Sequence, residues 1–387
     1  MVIKPMIRNN ICMNAHPIGC REYVREQIEY VKNTGTFSGP KRVLVIGGST
    51  GYGLASRIAA AFGCGAATVS VALEKEGSAK RTGTAGWYNT IAFDEYALEA
   101  GLTAVSINAD AFSHEVKQQA VEAIREHLGR VDLVVYSLAS PVRTDPDTGE
   151  TYRSVMKPIG EPYIARSLDL MKGEIKEVSL EPAEQREIEH TVKVMGGEDW
   201  RLWIETLERA GLLAEKPVTI AYSYIGSKHT RKVYREGTIG RAKDHLEATA
   251  RQLHEHMSRY GGAAYVSVNK AVVTRASAII PVGLYFVLLS DVMKSKRIDE
   301  WCIEQCYRLF SGRLYTGAPI PLDGEGRIRI DDWEMREDVQ AEVDRRWQIV
   351  TNENIRELAD LEGYRNDFLK IHGFGFETVD YEADVTP

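Results

Sequence analysis

One stretch constrains this chain more than any other: Arg42-Val-Leu-Val-Ile-Gly-Gly-Ser-Thr-Gly-Tyr-Gly-Leu-Ala-Ser-Arg57. An apolar run, Val43 to Ile46, ends in glycines and passes directly into a helix-like segment. Gly47, Gly51 and Gly53 are spaced G-x-x-x-G-x-G. A strand that turns sharply into a helix needs a residue without Cβ at the turn. It needs another where a pyrophosphate touches the backbone, and a third where helix and strand pack closely. The helix N-terminus then offers N–H groups and a positive dipole end to phosphates. Strand, turn and helix occur here in the order that dinucleotide binding requires.

The rest of the chain supplies the alternation that such a unit needs. Strand-like runs occur at Val43–Ile46, Thr68–Leu73, Thr103–Ile107, Val131–Tyr136, Val218–Tyr222 and Ala264–Val268. Helical patterns lie between them at Leu54–Phe62, Glu115–Leu128, Trp200–Ala210 and His245–Tyr260. Right-handed crossovers then build a parallel sheet buried on both faces, the α/β doubly wound (Rossmann) arrangement. With 387 residues, one such domain and several additions are expected. Residues 1–40 form an N-terminal extension with a helix at Cys20–Val31. Residues 74–95 read as a long Gly/Thr/Lys connection. Residues 141–217 read as a polar, substrate-covering insert, and 291–387 as a tail of charged helices. That tail contains one hairpin, Ile320–Ile330, and a frayed end from Glu382 to Pro387. The whole of 1–387 is read as a single catalytic unit.

Composition narrows the partners. A net charge of −7 speaks against nucleic acid as a general partner. The longest apolar run, Ala276 to Leu289, is broken by Pro281 and Gly283, so it reads as a buried helix without stable membrane insertion. The N-terminus lacks the apolar core of a secretory signal. Five scattered cysteines, Cys12, Cys20, Cys64, Cys302 and Cys306, suggest reduced thiols in a cytoplasm. Cys12, His16 and Cys20 have no fourth ligand at a zinc spacing, so no metal site is expected. Cys302 and Cys306, one helical turn apart, read as a core helix face.

Glu74 stands 27 positions after Gly47, at the end of the second strand. A carboxylate there accepts hydrogen bonds from adenosine ribose hydroxyls and repels a 2′-phosphate. NADH is therefore favoured, although Lys75, Lys80 and Arg81 lie nearby. Asp110 and Ala111, past the third strand, fall where the adenine edge would lie. Ser137-Leu-Ala-Ser140, past the fourth, would approach the nicotinamide ribose. A second cluster runs from Ala221 to Lys243 and holds three tyrosines and several cations. A phenol, with a reference pKa near ~10, is a proton donor at neutral pH, and a nearby ammonium lowers that value. Tyr234 and Lys243 are the candidate pair. Nine positions on one unbroken helix would put them on opposite faces, so they converge only if the helix is interrupted or starts between them, and Gly237 and Gly240 permit such a break.

Tyr234-x8-Lys243 resembles the signature of monomeric trans-2-enoyl-CoA reductases and of the related long class of bacterial enoyl-acyl-carrier-protein reductases. The common short-chain dehydrogenases use Tyr-x3-Lys. Similar stretches are Gly47-Gly-Ser-Thr-Gly-Tyr-Gly53, Gly83-Thr-Ala-Gly-Trp-Tyr-Asn89, Ile107-Asn-Ala-Asp-Ala-Phe112, Tyr136-Ser-Leu-Ala-Ser-Pro141 and Val268-Asn-Lys-Ala-Val-Val-Thr274. The resemblance covers essentially the whole chain. It implies NADH-dependent reduction of an enoyl-CoA or enoyl-ACP thioester by a cytoplasmic monomer. It also implies a pyrophosphate cradle of Gly47, Gly48, Ser49, Thr50, Gly51 and Tyr52. Leu73 and Glu74 would meet the adenosine ribose, Asp110 and Ala111 adenine, and Leu138 and Ala139 the nicotinamide ribose. Val272, Val273 and Thr274 would touch the nicotinamide. Tyr224 would contact the thioester carbonyl, Tyr234 would donate the proton, and Lys243 would hold the cofactor. The cationic run Lys228-His-Thr-Arg-Lys232 is more polar than the resemblance implies.

Two other readings stand beside this one. In a carbonyl reductase, Tyr234 would protonate an alkoxide. A non-catalytic redox sensor would bind NADH and signal through the C-terminal tail.

Overall fold

The computed structural model describes residues 1–8, 10–274 and 283–387. Its centre is a seven-stranded sheet. The strands are β1 (Arg42–Ile46), β2 (Ala67–Ala72), β3 (Ala104–Asn108), β4 (Val131–Tyr136), β5 (Leu213–Ser223), β6 (Ala263–Val268) and β7 (Ile328–Arg329). Their order is β7-β6-β5-β4-β1-β2-β3, and every pairing is parallel. The chain reverses direction across the sheet between β1 and β4. In a doubly wound sheet that switch point opens a crevice at the carboxyl ends of the strands.

The helices divide between the two faces because consecutive strand residues point in opposite directions. Val43, Val45, Leu133 and Val135 share a core with α1 (Pro17–Thr34), α2 (Gly51–Cys64) and α9 (Cys302–Leu309). Leu44, Ile46, Val134 and Tyr136 face α4 (His114–His127), α6 (Glu198–Arg209) and α7 (Thr238–Ser258). Two buried faces explain why these strands read as unbroken apolar runs. Each fully buried aliphatic side chain contributes ~1.5–3 kcal/mol.

The remaining helices complete the frame: α3 (Ala85–Glu99), α5 (Gln185–Met195), α8 (Gly283–Ser295) and α10 (Glu337–Ile349). In α2, the buried Arg57 donates to Thr68 and Ser106 and pairs with Asp94 at 3.2 Å. A third apolar cluster joins Val233, Tyr234 and Ile239 to Tyr285, Phe286 and Leu289 of α8 and Val339 and Val343 of α10.

Four expectations are corrected. Residues 85–95 are not connection but the body of α3. Gly86, read as a loop residue, stands in its first turn because the Glu74 carboxylate lies where a Cβ would project. Residues 320–330 form no hairpin. The Asp323 carboxylate accepts the Glu325 and Arg327 N–H groups in a tight turn. Ile328 and Arg329 then extend the sheet beside Ser267 and Val268. The end of the chain is packed rather than frayed. Val385 is buried and donates to Met1 O at 3.1 Å, and Glu382 and Asp384 pair with Lys4 and the N-terminal amine. Finally, 141–217 is not one polar insert. It contains two hairpins and α5, but α6 is a crossover helix of the fold. Trp200 and Trp203 on α6 are fully buried, and β5 begins at Leu213.

The apolar run at 276–289 is described only from Gly283, where it forms the buried start of α8; 276–282 lie outside the described residues. Among the described residues, no helix is long and apolar enough to cross a membrane. All five cysteines are buried, with Cys302 and Cys306 on the core face of α9. His16 caps α1, accepting the Gly19 N–H at Nδ1.

Candidate active site

The glycine turn is built as its spacing demands. Gly47 has φ of +88°, in the left-handed region, and a Cβ there would overlap Ser137 O of the neighbouring strand end. Gly53 lies against the Gly47 carbonyl, where a Cβ would overlap it, so the first turn of α2 closes onto β1. Gly51 has φ of +53°, and a Cβ there would stand 3.7 Å from the Thr274 methyl. Thr50 is the N-cap, in extended conformation. The Tyr52 phenol is committed to Lys270 O at 2.8 Å and Gln305 Oε1 at 3.1 Å. Any contact of Tyr52 with a pyrophosphate would therefore be made by its backbone. These residues fit a bound pyrophosphate.

Glu74 follows β2, and its carboxylate accepts the Ser49 hydroxyl at 2.7 Å. Its backbone is clamped from both sides by Asn108, which accepts the Glu74 N–H at 2.7 Å and donates to Glu74 O at 3.1 Å. Leu73 is exposed beside it, and Lys75, Lys80 and Arg81 are exposed in the following turn. Asp110 uses Oδ1 to accept the Phe112 N–H. The buried Lys117 donates to Ala111 O, Phe112 O and Asp199 Oδ1, at 3.0, 2.9 and 2.7 Å, and so fixes the Asp110–Ala111 loop. Leu138 and Ala139 follow β4, where Ser137 N–H donates to Ile46 O across the switch point.

Helix α7 starts at Thr238 with Gly237 as its N-cap, so the helix carrying Lys243 begins after Tyr234. Gly240 permits this break, since a Cβ there would overlap the Arg235 carbonyl. Arg235 then bonds Asp244 at 3.0 Å and Glu247 at 3.1 Å. Lys243 Nζ donates to Tyr222 O at 3.0 Å, near the end of β5. Tyr224, just past that end, meets Tyr234 edge to face, with ring centroids 4.7 Å apart. Tyr224, Tyr234 and Lys243 are thus gathered at the end of one central strand, beside the crevice.

Burial governs the electrostatics. It pushes Lys243 down to about 8, against the opposing pull of Glu247. Burial also raises Tyr234 well above the ordinary phenol range, as do Tyr364 and Glu334. The expected lowering of the phenol by a nearby ammonium is not found: every influence on Tyr234 raises it, burial most of all. A phenol held this way stays protonated, as a donor requires. The cationic run is paired with carboxylates of the same chain. Lys228 and His229 pair with Asp344, both at 2.6 Å, and Arg231 and Lys232 with Glu236.

Val272, Val273 and Thr274 follow β6. Val273 is buried, and Thr274 borders Gly51. The Ala271 N–H, just before them, donates to Glu334 Oε2 at 2.8 Å. Glu334 Oε1 accepts Tyr285 at 2.8 Å and Tyr224 at 3.2 Å.

Residues 2–79 match the family model described as the NAD(P)H binding domain of trans-2-enoyl-CoA reductase, and 81–315 match its catalytic region. An enoyl-[acyl-carrier-protein] reductase [NADH] of Flavobacterium johnsoniae is 56% identical, covering 100% of this chain and 98% of that protein. A trans-2-enoyl-CoA reductase [NADH] of Ruminiclostridium cellulolyticum is 54% identical, with 100% and 98% covered. The crystal structure of Treponema denticola trans-2-enoyl-CoA reductase in complex with NAD superposes with TM-score 0.96 at 54% identity, covering 100% of this chain and 98% of that one. The chain belongs to the trans-2-enoyl-CoA reductase family.

A third family model, described as an enoyl reductase FAD binding domain, matches residues 322–385 of this reductase. That segment does not fit the group. Its described elements are the two-residue β7 and short helices whose apolar residues, among them Val339, Val343, Ile355 and Phe368, fill the cores. The strand, glycine turn and helix that would cradle a pyrophosphate lie instead at 42–64.

Several supporting residues of the reductase escape sequence reasoning. Asn108 stands at a strand end like any other, Lys117 reads as solvated, and Glu334 sits in the acidic run Asp331-Asp-Trp-Glu334. Only the polar partners that the fold brings to each single them out.

Proposed function

We propose that this reductase saturates a trans-2-enoyl thioester at the expense of NADH, with Tyr234 as proton donor. The observation that carries this reading is the meeting of Tyr224, Tyr234 and Lys243 at the end of β5. The family, and the NADH named in its close relatives, support the cofactor.

The cradle of Gly47, Gly48, Ser49, Thr50, Gly51 and Tyr52 takes the pyrophosphate. Leu73 and Glu74 take the adenosine ribose, and Asp110 and Ala111 bracket adenine. Leu138, Ala139 and the Lys243 ammonium meet the nicotinamide ribose, while Val272, Val273 and Thr274 line the nicotinamide. Bound NADH supplies a hydride for the thioester β-carbon. As charge moves onto the thioester oxygen, hydrogen bonds from Tyr224 and Tyr234 strengthen, which is what lowers the barrier. A proton reaching the α-carbon from Tyr234, directly or through water, completes saturation of the double bond. The apolar cluster of Val233, Tyr285, Phe286 and Leu289 offers the acyl chain a dry wall.

Enoyl-CoA and enoyl-carrier substrates present the same reacting atoms to these residues. The family resemblance supports a monomer, and the scattered, buried cysteines support a cytoplasmic setting. The contact of the N-terminal residues with Asp384 and Val385 supports 1–387 as one catalytic unit. The deciding experiment follows NADH oxidation with crotonyl-CoA, longer enoyl-CoA and enoyl-carrier thioesters, with a ketoacyl thioester as control. Oxidation with the enoyl substrates alone is expected. Oxidation with the ketoacyl thioester alone would replace this reading with carbonyl reduction, and tight NADH binding without turnover would replace it with a sensor.

A further inference from the structure

We infer that Glu334 decides where Tyr224 directs its single proton, into the protein or toward the substrate. This rests on the reading of Tyr224 as a thioester contact. Glu334 is fully buried. Its Oε1 receives the phenols of Tyr224 and Tyr285, at 3.2 and 2.8 Å, and its Oε2 receives the Ala271 N–H at 2.8 Å. Gln340 holds the same turn, donating to Tyr285 Oη at 3.2 Å and to Glu334 O at 2.7 Å. One carboxylate thus joins the substrate-side tyrosine to the backbone leading into Val272, Val273 and Thr274.

A phenol carries one hydrogen. While Glu334 is ionised it can only accept, and Tyr224 spends its hydrogen on Oε1. The thioester oxygen must then compete for that hydrogen. When Glu334 is a neutral acid, its own O–H donates to Tyr224 Oη. The Tyr224 hydrogen then turns to the substrate, and Tyr285 keeps its bond to Oε1. No bond in the substrate changes; one proton moves between solvent and Glu334. Among the described residues, Tyr234 makes no hydrogen bond to Glu334, so this switch does not act on it directly. Glu334 is therefore a positioning residue acting through Tyr224.

The surroundings allow the neutral acid near physiological pH. Burial, the largest influence, lifts Glu334 to about 6. The bonds from Ala271 and Tyr285 and the nearby Lys270 oppose that rise, while Asp331 adds to it. Lys270 is itself paired with Asp299 at 2.8 Å and Asp331 with Arg329 at 2.6 Å. Tyr52 and Tyr234 also face this charge, which helps to hold both phenols protonated.

Glu334→Gln tests the inference. With its carbonyl toward the Ala271 N–H, the amide offers two hydrogens to the two phenols and cannot ionise. In the wild type, kcat/KM for crotonyl-CoA should fall as pH rises through the Glu334 midpoint. That limb should vanish in Glu334→Gln, whose turnover at alkaline pH should exceed wild type by about tenfold, below the ~10²–10³ of a lone oxyanion donor. It should vanish equally in Tyr224→Phe, and adding Glu334→Gln to Tyr224→Phe should change nothing further. If Glu334→Gln does not fold, wild type against Tyr224→Phe decides alone. A limb absent from the wild type, or persisting in either variant, overturns the inference. Tyr234→Phe separates the levels. Full turnover in that variant would remove the active-site reading itself. A dead Tyr234→Phe, with the limb intact in both other variants, strikes only the role of Glu334.

Discussion

Arg235 reaches Asp244 at 3.0 Å, and through this pair the residue after Tyr234 is tied to the residue after Lys243. The same guanidinium meets the buried Glu247 at 3.1 Å, which Arg327 also approaches at 3.4 Å. Tyr234 and Lys243 come from different backbone segments, a turn and a helix, and this link adds to the close packing of Gly240 on the Arg235 carbonyl in fixing their separation.

Arg235→Gln should therefore damage catalysis more than stability. The exposed pair with Asp244 contributes ~0–1 kcal/mol, and the buried Glu247 keeps Arg327 as a partner, so the melting temperature should move little. Misplacing a catalytic group by about an ångström costs up to ~10² in rate. The checks are kcat with crotonyl-CoA and a thermal melt of the same preparation. Wild-type kcat would show that the turn before Gly237 holds its own shape.

Tyr234→Phe deletes one hydroxyl and keeps the ring that packs on Tyr224. Turnover should fall by at least ~10², with NADH affinity near wild type. Tyr224→Phe should act more mildly, because the shared enolate oxygen keeps one donor. Steady-state kinetics with calorimetric NADH titration distinguishes the two. Equal losses would mean that the phenols act as one inseparable unit.

Glu74→Ala should relax cofactor choice. The change removes a carboxylate that repels a 2′-phosphate, and it frees the Ser49 hydroxyl bonded to it at 2.7 Å. The ratio of kcat/KM with NADH to that with NADPH should fall, and the exposed Lys75, Lys80 and Arg81 favour the gain in NADPH. An unchanged ratio in a folded variant would take Glu74 out of cofactor selection.

Much of this was legible because local rules and the fold agree. The strand Val43–Ile46 is apolar at every position because Val43 and Leu44 face different cores. The helix start between Tyr234 and Lys243 follows from helical geometry alone, and Gly237 and Gly240 mark the place. What escaped depends on partners distant in sequence. Gly86 looked like a loop glycine until Glu74 filled the space beside it. Ile328 and Arg329 looked like half of a hairpin, but two residues carry too little periodicity to show which strand they join. Glu334 differs from a solvated acid only by its burial, and burial is not local information.

Lys243 yields two pH trends of opposite sign. Burial holds its ammonium at about 8 in the fold, against an ordinary 10.5. Below about 8 the cation is present and can hold the cofactor ribose; above it the charge is lost. NADH affinity should therefore weaken as pH rises through about 8, and binding in that range should take up a proton. Stability runs the other way. Between about 8 and 10.5 the unfolded chain binds more protons at this site than the fold does, so the cofactor-free protein gains stability as pH rises there. Other groups titrate in the same range, so the comparison is with Lys243→Met, which should lose both trends and bind NADH weakly at every pH. Calorimetry in two buffers of different ionisation enthalpy reads the proton uptake, and urea melts read the stability. If Lys243→Met matches wild type in NADH affinity at neutral pH, Lys243 does not touch the cofactor. If its stability difference from wild type is flat across the alkaline range, the ammonium is not buried in solution.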